Sequence, residues 1–587
     1  MFSTNRFFTH RFFKVRLFKV ICFTRRLFAN MLFSGVFCEF RKNNTTTYGV
    51  MTAFCCLAFL SGCSGDSNNN TNVSSSSISV SSSSKSTISV PASSSHSLGS
   101  SSSSYALSES PYVGQWYAPA YGYVLSVTTE GTAFTVKTYS VTTDYCLLQK
   151  RVSDVSHIKL EQEYVYSNSG KEILLKKNGD YPPGVDYEKV DKLPLACTEN
   201  LQILKADSGY SFDAKKDFEI FWQTFNDLYI NFELRGVNWN AVYEDAIKSV
   251  DTIKDETELF EFLSELTVPL GDGHALLIRA PLSLDLDKSI TAALENDETP
   301  SFNASTQLTL YEKLLNEYLQ MSGHDGESTS VQTAAAENYI VENFDNIVGT
   351  IFDYADQHSV VKVRAAGQIA WFKTSNNIGY LFVGSMSDYT EGKSTLISDI
   401  ASDVAIAEAT INEALKDLEG TDGLIVDVRF NDGGQDQVAL NFVRHFMGQS
   451  QVVYSKFAGR GAWATPVQDV MLDPHKENIY LKPTAVLTSG DTGSAAELFT
   501  IAMASLSQVT IIGEPTAGAF SDILVKRLTS DILFGVSNET YLDVQGNNYE
   551  KIGIPPKIPV PFATLQERVE GYDAGIESAI NWIEEKR

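Results

Sequence analysis

The stretch TAVLTSGDTGSAAEL, residues 484–498, decides the fold of this chain. Its first five residues are apolar or β-branched and predict a buried strand, a glycine-containing turn follows, and the apolar run from Ala495 predicts a helix. Strands alternate with helices on both sides of it, which indicates an α/β domain whose helices flank a sheet. The other predicted elements are the strands Gly379–Val383, Gly423–Phe430 and Thr510–Ile512 and the helices 403–418, 435–447 and 494–507.

This order places Ser494 where a strand has ended and a helix begins. The N–H groups and the dipole at a helix N-terminus stabilise an anion, and a tetrahedral oxyanion is one such anion. Ser494 and Glu497 also have the spacing of a capping box, which requires no chemistry. The residues alone leave both interpretations open.

Two further loops place glycine beside polar residues. The strand Gly423–Phe430 continues into NDGG at 431–434, whose glycines allow a close backbone approach, although an ordinary Asp-Gly turn has the same sequence. His274 follows the turn LGDG at 270–273 and could project into a cleft, although a lone histidine is more often structural.

Four motifs follow one another over residues 379–560. They are DVRFNDGG at 427–434, the loop and helix start at 488–497, GEPTAG at 513–518 and YEKIGIPP at 549–556. Their order and spacing resemble the tail-specific (C-terminal processing) serine peptidase family, and the helical lead-in 213–277 extends the resemblance. It implies a β/α spiral core shared with crotonases and Clp proteases, hydrolysis of peptide bonds in flexible polypeptides, and no metal or organic cofactor.

The family has two catalytic styles, and the sequence separates them. In the Ser/Lys style a lysine follows the third motif, but that position is Ala519 here, and Lys526 lies seven residues later. The tricorn-like branch takes its base from a histidine after a helical bundle, which His274 matches. Because no PDZ-like β module is evident between 281 and 375, the chain resembles the tricorn-like Ser/His branch.

That resemblance implies a role for each matching residue. Ser494 is the expected nucleophile, His274 the general base, and Glu550 the carboxylate that orients the imidazole. The Ala495 N–H and one N–H from Gly433–Gly434 are the expected oxyanion hole.

The sequence departs from the family pattern at several positions. Gly273 stands where the tricorn-type enzymes have a serine before the base. Lys551 and Lys557 replace the usual glycine and aspartate around the last motif. His445, within a predicted helix, and His475, in a polar loop, are rival bases.

The chain divides into five predicted segments. In the second, 24 of 47 residues are serine, and such a stretch buries too little surface to fold, so it is interpreted as a flexible tether. The third is rich in aromatic and β-branched runs and predicts a small all-β domain without an assigned ligand. The segments are a leader and signal 1–63, the tether 64–110, the β domain 111–205, a helical bundle with an insertion 206–375, and the catalytic domain 376–587.

The first segment has the pattern of an export signal. Residues 1–30 are interpreted as a leader extension or a misassigned start. Two basic residues at 41–42 precede the apolar run Tyr48–Leu60, which ends in LSGC at 60–63 and resembles a bacterial lipobox. We expect lipidation of Cys63 and an envelope lipoprotein, held to the membrane by its lipid alone, in the outer membrane facing the periplasm or the cell surface. A chance cysteine after an apolar run is the alternative.

The composition of the chain limits the kinds of partner and of covalent cross-link that we expect. The chain of 587 residues has 46 Lys plus Arg against 72 Asp plus Glu, a net charge of −26, which argues against a nucleic-acid partner. Cys146 and Cys197 are the only cysteines beyond the lipobox. In an exported protein they predict a disulfide, with two unpaired buried thiols as the alternative.

Two other functions stay open at this point. The first is a non-catalytic lipoprotein that binds a peptide or an apolar ligand on the same scaffold, and the second is an adhesin that uses the β domain. The presence of both Ser494 and His274 favours the enzyme, whose substrate would be a polypeptide. Substrate identity, cleavage preference, oligomeric state and the true start are not determined by the sequence.

Overall fold

The computed structural model describes residues 107–178, 181–280, 307–323, 330–390 and 400–587. The predicted leader, Cys63 and the serine-rich tether up to residue 106 lie outside these residues. Within the described ranges, no helix has both the length and the apolar character needed to cross a bilayer.

The N-terminal part of the described chain is an antiparallel sheet, as predicted for 111–205. The strands are β1 Gly114–Ala118, β2 Tyr123–Glu130, β3 Ala133–Val141, β4 Cys146–Val155, β5 Tyr164–Asn168, β6 Glu172–Asn178 and β7 Tyr181–Val190, with helices α1 His157–Glu163 and α2 Leu195–Glu199. They pair in the order β4-β3-β2-β1-β7-β6-β5. Trp116 and Phe134 are wholly buried in its core, because aromatic residues alternate onto one face of these strands.

The predicted disulfide is present in the structure and joins β4 to α2 through Cys146 and Cys197. We therefore expect a chain that begins at Ser64, denatured without reductant, to contain no titratable thiol. Because the two cysteines are 51 residues apart, replacing both by Ala should lower the free energy of unfolding by about 4 kcal/mol in the chain-entropy model. Two free thiols in the unreduced chain would contradict the prediction.

A bundle of amphipathic helices follows, as the three- and four-residue spacing of aromatic residues predicts. It comprises α3 Ala214–Leu228, α4 Phe232–Arg235, α5 Trp239–Ala246 and α6 Glu256–Thr267, and it leads into strand β8 Leu277–Arg279. Phe218, Phe221 and Phe225 on α3 are fully buried. The apolar core of the bundle is shared with two later strands, Ile523–Arg527 and Ile532–Ser537, where Phe221 and Phe225 pack on Phe534, and it reaches the loop that carries His274.

The rest of the chain forms the main sheet and its flanking elements. The bounds are α7 Leu310–Ser322, α8 Ser330–Asp353, β9 Lys362–Arg364, β10 Ile369–Lys373, β11 Gly379–Val383, α9 Ile400–Leu418, β12 Leu424–Asp427, α10 Asp436–Arg444, β13 Gln451–Ala458, β14 Gln468–Leu472, β15 Thr484–Thr488, α11 Ala495–Ala504, β16 Val509–Gly513, β17 Ile523–Arg527, β18 Ile532–Ser537, β19 Glu539–Leu542, β20 Ile558–Pro559, α12 Leu565–Glu570 and α13 Ala574–Glu585.

The main sheet has the strand order β20-β16-β15-β12-β11-β10-β9. From β20 to β11 every pairing is parallel, and β10 and β9 are antiparallel additions. The predicted α/β class is confirmed. β9 and β10 precede residue 376, so the sheet begins upstream of the boundary that the sequence pattern suggested.

β12 is shorter than the predicted strand Gly423–Phe430, because Asp427 ends it. The Asp427 carboxylate accepts the Arg429 N–H at 3.0 Å and pairs with the Arg429 guanidinium at 2.6 Å, with both side chains buried. Arg429 also pairs with Asp573 at the start of α13 at 2.9 Å. β12 and β15 are parallel neighbours, so the loops that follow them leave the same edge of the sheet.

Candidate active site

Ser494 lies in the turn between β15 and α11. Its backbone has φ 50° and ψ −123°, a region where residues with a side chain seldom lie, so the turn is strained there. Its side chain is half-buried, and Ser494 and Glu497 form the capping box that their spacing allows, with the Ser494 N–H donating to Glu497 Oε2 at 3.2 Å. The Glu497 N–H also donates to the Ser494 carbonyl oxygen at 2.8 Å, so the start of α11 does not depend on the hydroxyl alone.

The loop after β12 packs directly against Ser494. Gly433 has φ 118°, and a Cβ atom at this position would lie 2.7 Å from the Ser494 Cβ. A side chain here would therefore displace the serine, which explains the need for glycine. Hydrogen bonds also join the two loops, from Thr492 Oγ1 to Val428 O (2.8 Å), from Ser489 Oγ to Arg429 O (2.6 Å) and from Gly493 N to Asn431 O (3.0 Å).

Only some of the backbone N–H groups near Ser494 already donate a hydrogen bond within the protein. The Gly433 N–H donates to Asn431 Oδ1 at 3.0 Å. The N–H groups of Gly434 and Ala495 have no acceptor within the part of the chain that the structure describes. Of the two glycines suggested by the sequence, Gly434 is therefore the one with an N–H to offer an anion.

Glu497 fixes the third loop to the serine turn. It is fully buried, and its carboxylate accepts four hydrogen bonds. Burial raises the pKa of Glu497 to about 7, against the lowering effect of these donors. The donors are Ser494 N (3.2 Å), Thr516 Oγ1 (2.5 Å), Gly518 N (2.7 Å) and Ala519 N (2.8 Å).

His274 is buried in the loop between the helical bundle and β8. Its backbone N–H donates to Asp272 Oδ1 at 3.0 Å, and the Ser521 backbone lies near its ring. Burial lowers the pKa of His274 below its ordinary value, although Asp272 and the Ser521 backbone act to raise it. Burial thus favours the neutral imidazole.

The His274 Nδ1 atom is buried and has no hydrogen-bond partner among the described residues. No hydrogen bond joins Ser494 Oγ to the imidazole in the same part of the chain. In resting enzymes catalytic hydrogen bonds are often long and close only when substrate is bound. The pairing of Ser494 with His274 therefore stays a prediction, although each residue is in the loop where the sequence placed it.

Glu550 is buried beside Arg235. Its Oε1 accepts from Arg235 Nη2 at 2.5 Å, and its Oε2 accepts from the Phe520 N–H at 2.9 Å. Burial and then Asp272 raise the pKa of Glu550 to about 8, against the lowering effect of Arg235. Both carboxylate oxygens of Glu550 thus accept hydrogen bonds from groups other than His274. The role predicted for Glu550, to orient the His274 imidazole, therefore stays a prediction.

Residues 519–521, directly after the third motif, contact Glu497 below the serine turn, Glu550 and His274. A shift of this segment would therefore move all three of these side chains. Its contacts are Ala519 N with Glu497, Phe520 N with Glu550, and the Ser521 backbone with the His274 ring.

The other candidate bases lie elsewhere. Lys526 Nζ donates to Tyr121 O at 2.7 Å and lies 3.5 Å from the centre of the Tyr123 ring, so it is buried against the N-terminal sheet. Burial lowers its pKa well below the ordinary value of lysine. His445 and His475 stack on each other, with ring centres 4.0 Å apart. Each is thus engaged in contacts of its own.

Comparison with known proteins finds family matches in two parts of the chain. Residues 377–560 match the model of peptidase family S41, and residues 213–267 match the tricorn protease C1 domain. Residues 377–560 form a serine peptidase domain of family S41. The two matches cover the four helices of the bundle and most strands of the main sheet.

Individual relatives of the chain are distant. A carboxyl-terminal-processing protease of Synechocystis is 21% identical over 396 residues, which is 62% of this chain and 85% of the relative. A carboxy-terminal processing protease of Bacillus subtilis is 29% identical over 175 residues, 29% of this chain and 36% of the relative. A solved structure from Parabacteroides merdae, titled as a peptidase, has 22% identity and a TM-score of 0.46 over 64% of this chain and 97% of its own.

Two residues of the candidate site could not be singled out from the motifs. Asp272 stands two positions before His274, a spacing typical of an Asx turn, so its contact with the His274 N–H could have been inferred. Arg235 is 315 residues from Glu550 in the chain, and no local pattern marks it. Arg235 Nη1 also donates to Gly271 O, so one buried guanidinium holds the histidine loop to the last motif.

Proposed function

We propose that this S41 peptidase is an exported, lipid-anchored endopeptidase that cleaves flexible polypeptides, with Ser494 as nucleophile and His274 as base. The observation that carries the proposal is the strained Ser494 turn, where the Gly433–Gly434 loop packs against the serine at the start of α11 and the N–H groups of Ala495 and Gly434 have no acceptor among the described residues. The relatives named as carboxyl-terminal processing proteases support carboxyl-terminal regions of polypeptides as the substrate class.

The proposed chemistry is acyl transfer. Ser494 Oγ attacks the scissile carbonyl carbon, and its proton passes to the neutral His274 imidazole. The carbonyl oxygen becomes an oxyanion, which accepts hydrogen bonds from Ala495 N–H and Gly434 N–H. The C–N bond then breaks, the imidazolium returns its proton to the leaving amine, and water hydrolyses the acyl-enzyme by the same path in reverse.

The imidazolium formed in this mechanism needs a negative charge close by. In this proposal Asp272 supplies it: its carboxylate accepts the backbone N–H of His274 and acts to raise the pKa of the imidazole, which favours the charged form. Glu550 contributes from a greater distance, by fixing Arg235 and the Phe520 N–H beside the histidine loop. This division extends the role that the resemblance assigned to Glu550 alone.

Labelling with a fluorophosphonate probe tests the nucleophile. The purified chain should incorporate one probe molecule, and peptide mapping should find it on Ser494, because only an activated serine reacts with this reagent. Ser375→Ala, at an exposed serine, is the matched control and should label like wild type. A correctly folded wild-type chain that does not label would support a non-catalytic peptide-binding protein.

The lipid anchor is tested separately. The small residues before Cys63 and the serine tether after it favour lipidation and a place in the bacterial cell envelope. Cells grown with radiolabelled palmitate should label the wild-type chain but not Cys63→Ala. Cys56→Ala, seven residues upstream, is the control and should label normally; equal labelling of the Cys63 variant would contradict the lipobox.

A further inference from the structure

Three potential metal-binding side chains meet outside the active site. Glu408 lies on α9, His445 immediately follows α10, and His475 lies in the loop between β14 and β15. One donor atom from each lies within 4.8 Å of the other two. His475 Nε2 is 2.6 Å from Glu408 Oε1. Elements far apart in the sequence thus bring two imidazoles and a carboxylate together.

His445 is oriented as a metal ligand is, with one ring nitrogen bound to a backbone carbonyl and the other facing the cluster. Its Nδ1 lies 3.2 Å from Asn478 O, and a carbonyl oxygen accepts only, so this nitrogen has the proton. The lone pair of His445 is therefore on Nε2. This Nε2 belongs to a fully buried side chain and has no hydrogen-bond partner among the described residues. Packing alone does not account for a buried acceptor without a donor.

His475 has a related arrangement. Its Nδ1 is 2.7 Å from Glu477 O, with Glu477 N at 3.2 Å from the same atom. The shorter contact suits an Nδ1–H. The 2.6 Å separation of Nε2 and Glu408 Oε1 is that of an N–H···O hydrogen bond, so a cation that binds both atoms would replace this proton. A histidine whose far nitrogen donates to a backbone carbonyl is the usual outer support of a metal ligand. Both histidines of the cluster have this support.

The donor types of the cluster suit a divalent cation. Two imidazoles and one carboxylate from separate elements lie together, and the Asn441 side-chain amide donates to the other carboxylate oxygen of Glu408, Oε2, at 2.8 Å. This hydrogen bond orients the carboxylate in the way that an outer partner orients a metal ligand.

We propose that Glu408, His445 and His475 form a Zn²⁺ site. Two imidazoles and one carboxylate are a common zinc donor set, with water as the fourth ligand. The ion would join the end of α10 to α9 and to the loop before β15. Because α10 starts directly after the Gly433–Gly434 loop, the site would hold the helix that follows this loop, at its opposite end. This proposal does not depend on peptidase activity.

Zinc binding to the full chain tests the proposal. The protein is stripped with chelator, dialysed and titrated with ZnCl₂ in competition with a chromophoric chelator at pH 7.5. We expect one Zn²⁺ per chain and a rise in the melting temperature on binding. His445→Ala and His475→Ala should each weaken binding by at least about 100-fold, because each removes a direct ligand.

Matched variants keep the outcome unambiguous. His358→Ala and His157→Ala remove exposed histidines outside the cluster and should bind like wild type. Glu408→Gln preserves size but loses the charge, so it should weaken binding even if an alanine variant fails to fold. Cobalt(II) in place of zinc should give the visible absorption of a tetrahedral site in wild type but not in His445→Ala. Equal zinc affinity in wild type and the His445→Ala/His475→Ala double variant, or no stoichiometric binding by wild type, would overturn the proposal.

Discussion

Ser494→Ala is expected to lower the rate of peptide hydrolysis on the order of 10⁴-fold, because no other group can replace the attacking oxygen. The fold should survive, since the Glu497 N–H keeps its hydrogen bond to the carbonyl oxygen of residue 494 and the Glu497 carboxylate keeps the N–H of residue 494. Alanine has the same backbone strain as serine at φ 50°, so the turn gains no new cost. Steady-state hydrolysis of an unstructured peptide and a thermal melt measure the two effects.

The control for this variant is Gly433→Ala. Its Cβ would lie 2.7 Å from the Ser494 Cβ at a positive φ, so it should lose activity by displacing the serine and should also lower the melting temperature. Ser494→Ala should differ from it by leaving the melting temperature within a few degrees of wild type. Hydrolysis by purified Ser494→Ala at the wild-type rate would sink the assignment of the nucleophile.

His274→Ala is expected to lose activity by at least about two orders of magnitude, the usual effect of removing a general base. The base must be neutral to accept the serine proton, so activity should rise with pH through the pKa of His274. Burial lowers this pKa, so the midpoint of the acid limb should lie below about 6.5, the ordinary value for histidine. The dependence of kcat/KM on pH measures it.

Lys526→Met separates this assignment from a lysine base. Lys526 is buried against Tyr121 and Tyr123, so the isosteric change should affect stability more than turnover. His475→Ala should likewise keep most of the activity. If Lys526→Met were inactive at an unchanged fold and His274→Ala active, the Ser/His reading would be wrong.

The strand-to-helix junctions were predictable because their signals are local. The strands β11 and β15 begin and end where the sequence predicted, since short apolar runs bounded by turn residues define them. The predicted end of β12 was wrong by three residues. There the side chain of Asp427 accepts the Arg429 N–H and ends the strand, a preference that hydrophobicity does not encode.

The candidate site was predictable only as far as motifs reach. Ser494 and His274 could be selected because glycine-rich turns precede them. Which backbone N–H groups are free to bind an anion could not be predicted. The Gly433 N–H, for example, is occupied only because the Asn431 side chain adopts the rotamer that accepts it. The contacts of Glu550 could not either, since Arg235 reaches it from a helix 315 residues away.

The burial of Lys526 beneath the N-terminal sheet bears on how the protein can be shortened. Deleting residues up to 205 would leave its ammonium without the two carbonyl acceptors and would uncover Glu539, which the Tyr121 hydroxyl contacts at 2.6 Å. Glu539 N in turn donates to Ser521 Oγ at 3.1 Å, next to the backbone that holds the His274 ring. The N-terminal sheet, which the sequence composition marks as a separate module, therefore belongs to the same compact unit as the main sheet. We expect a shortened peptidase to need residues 107–205 for a stable fold.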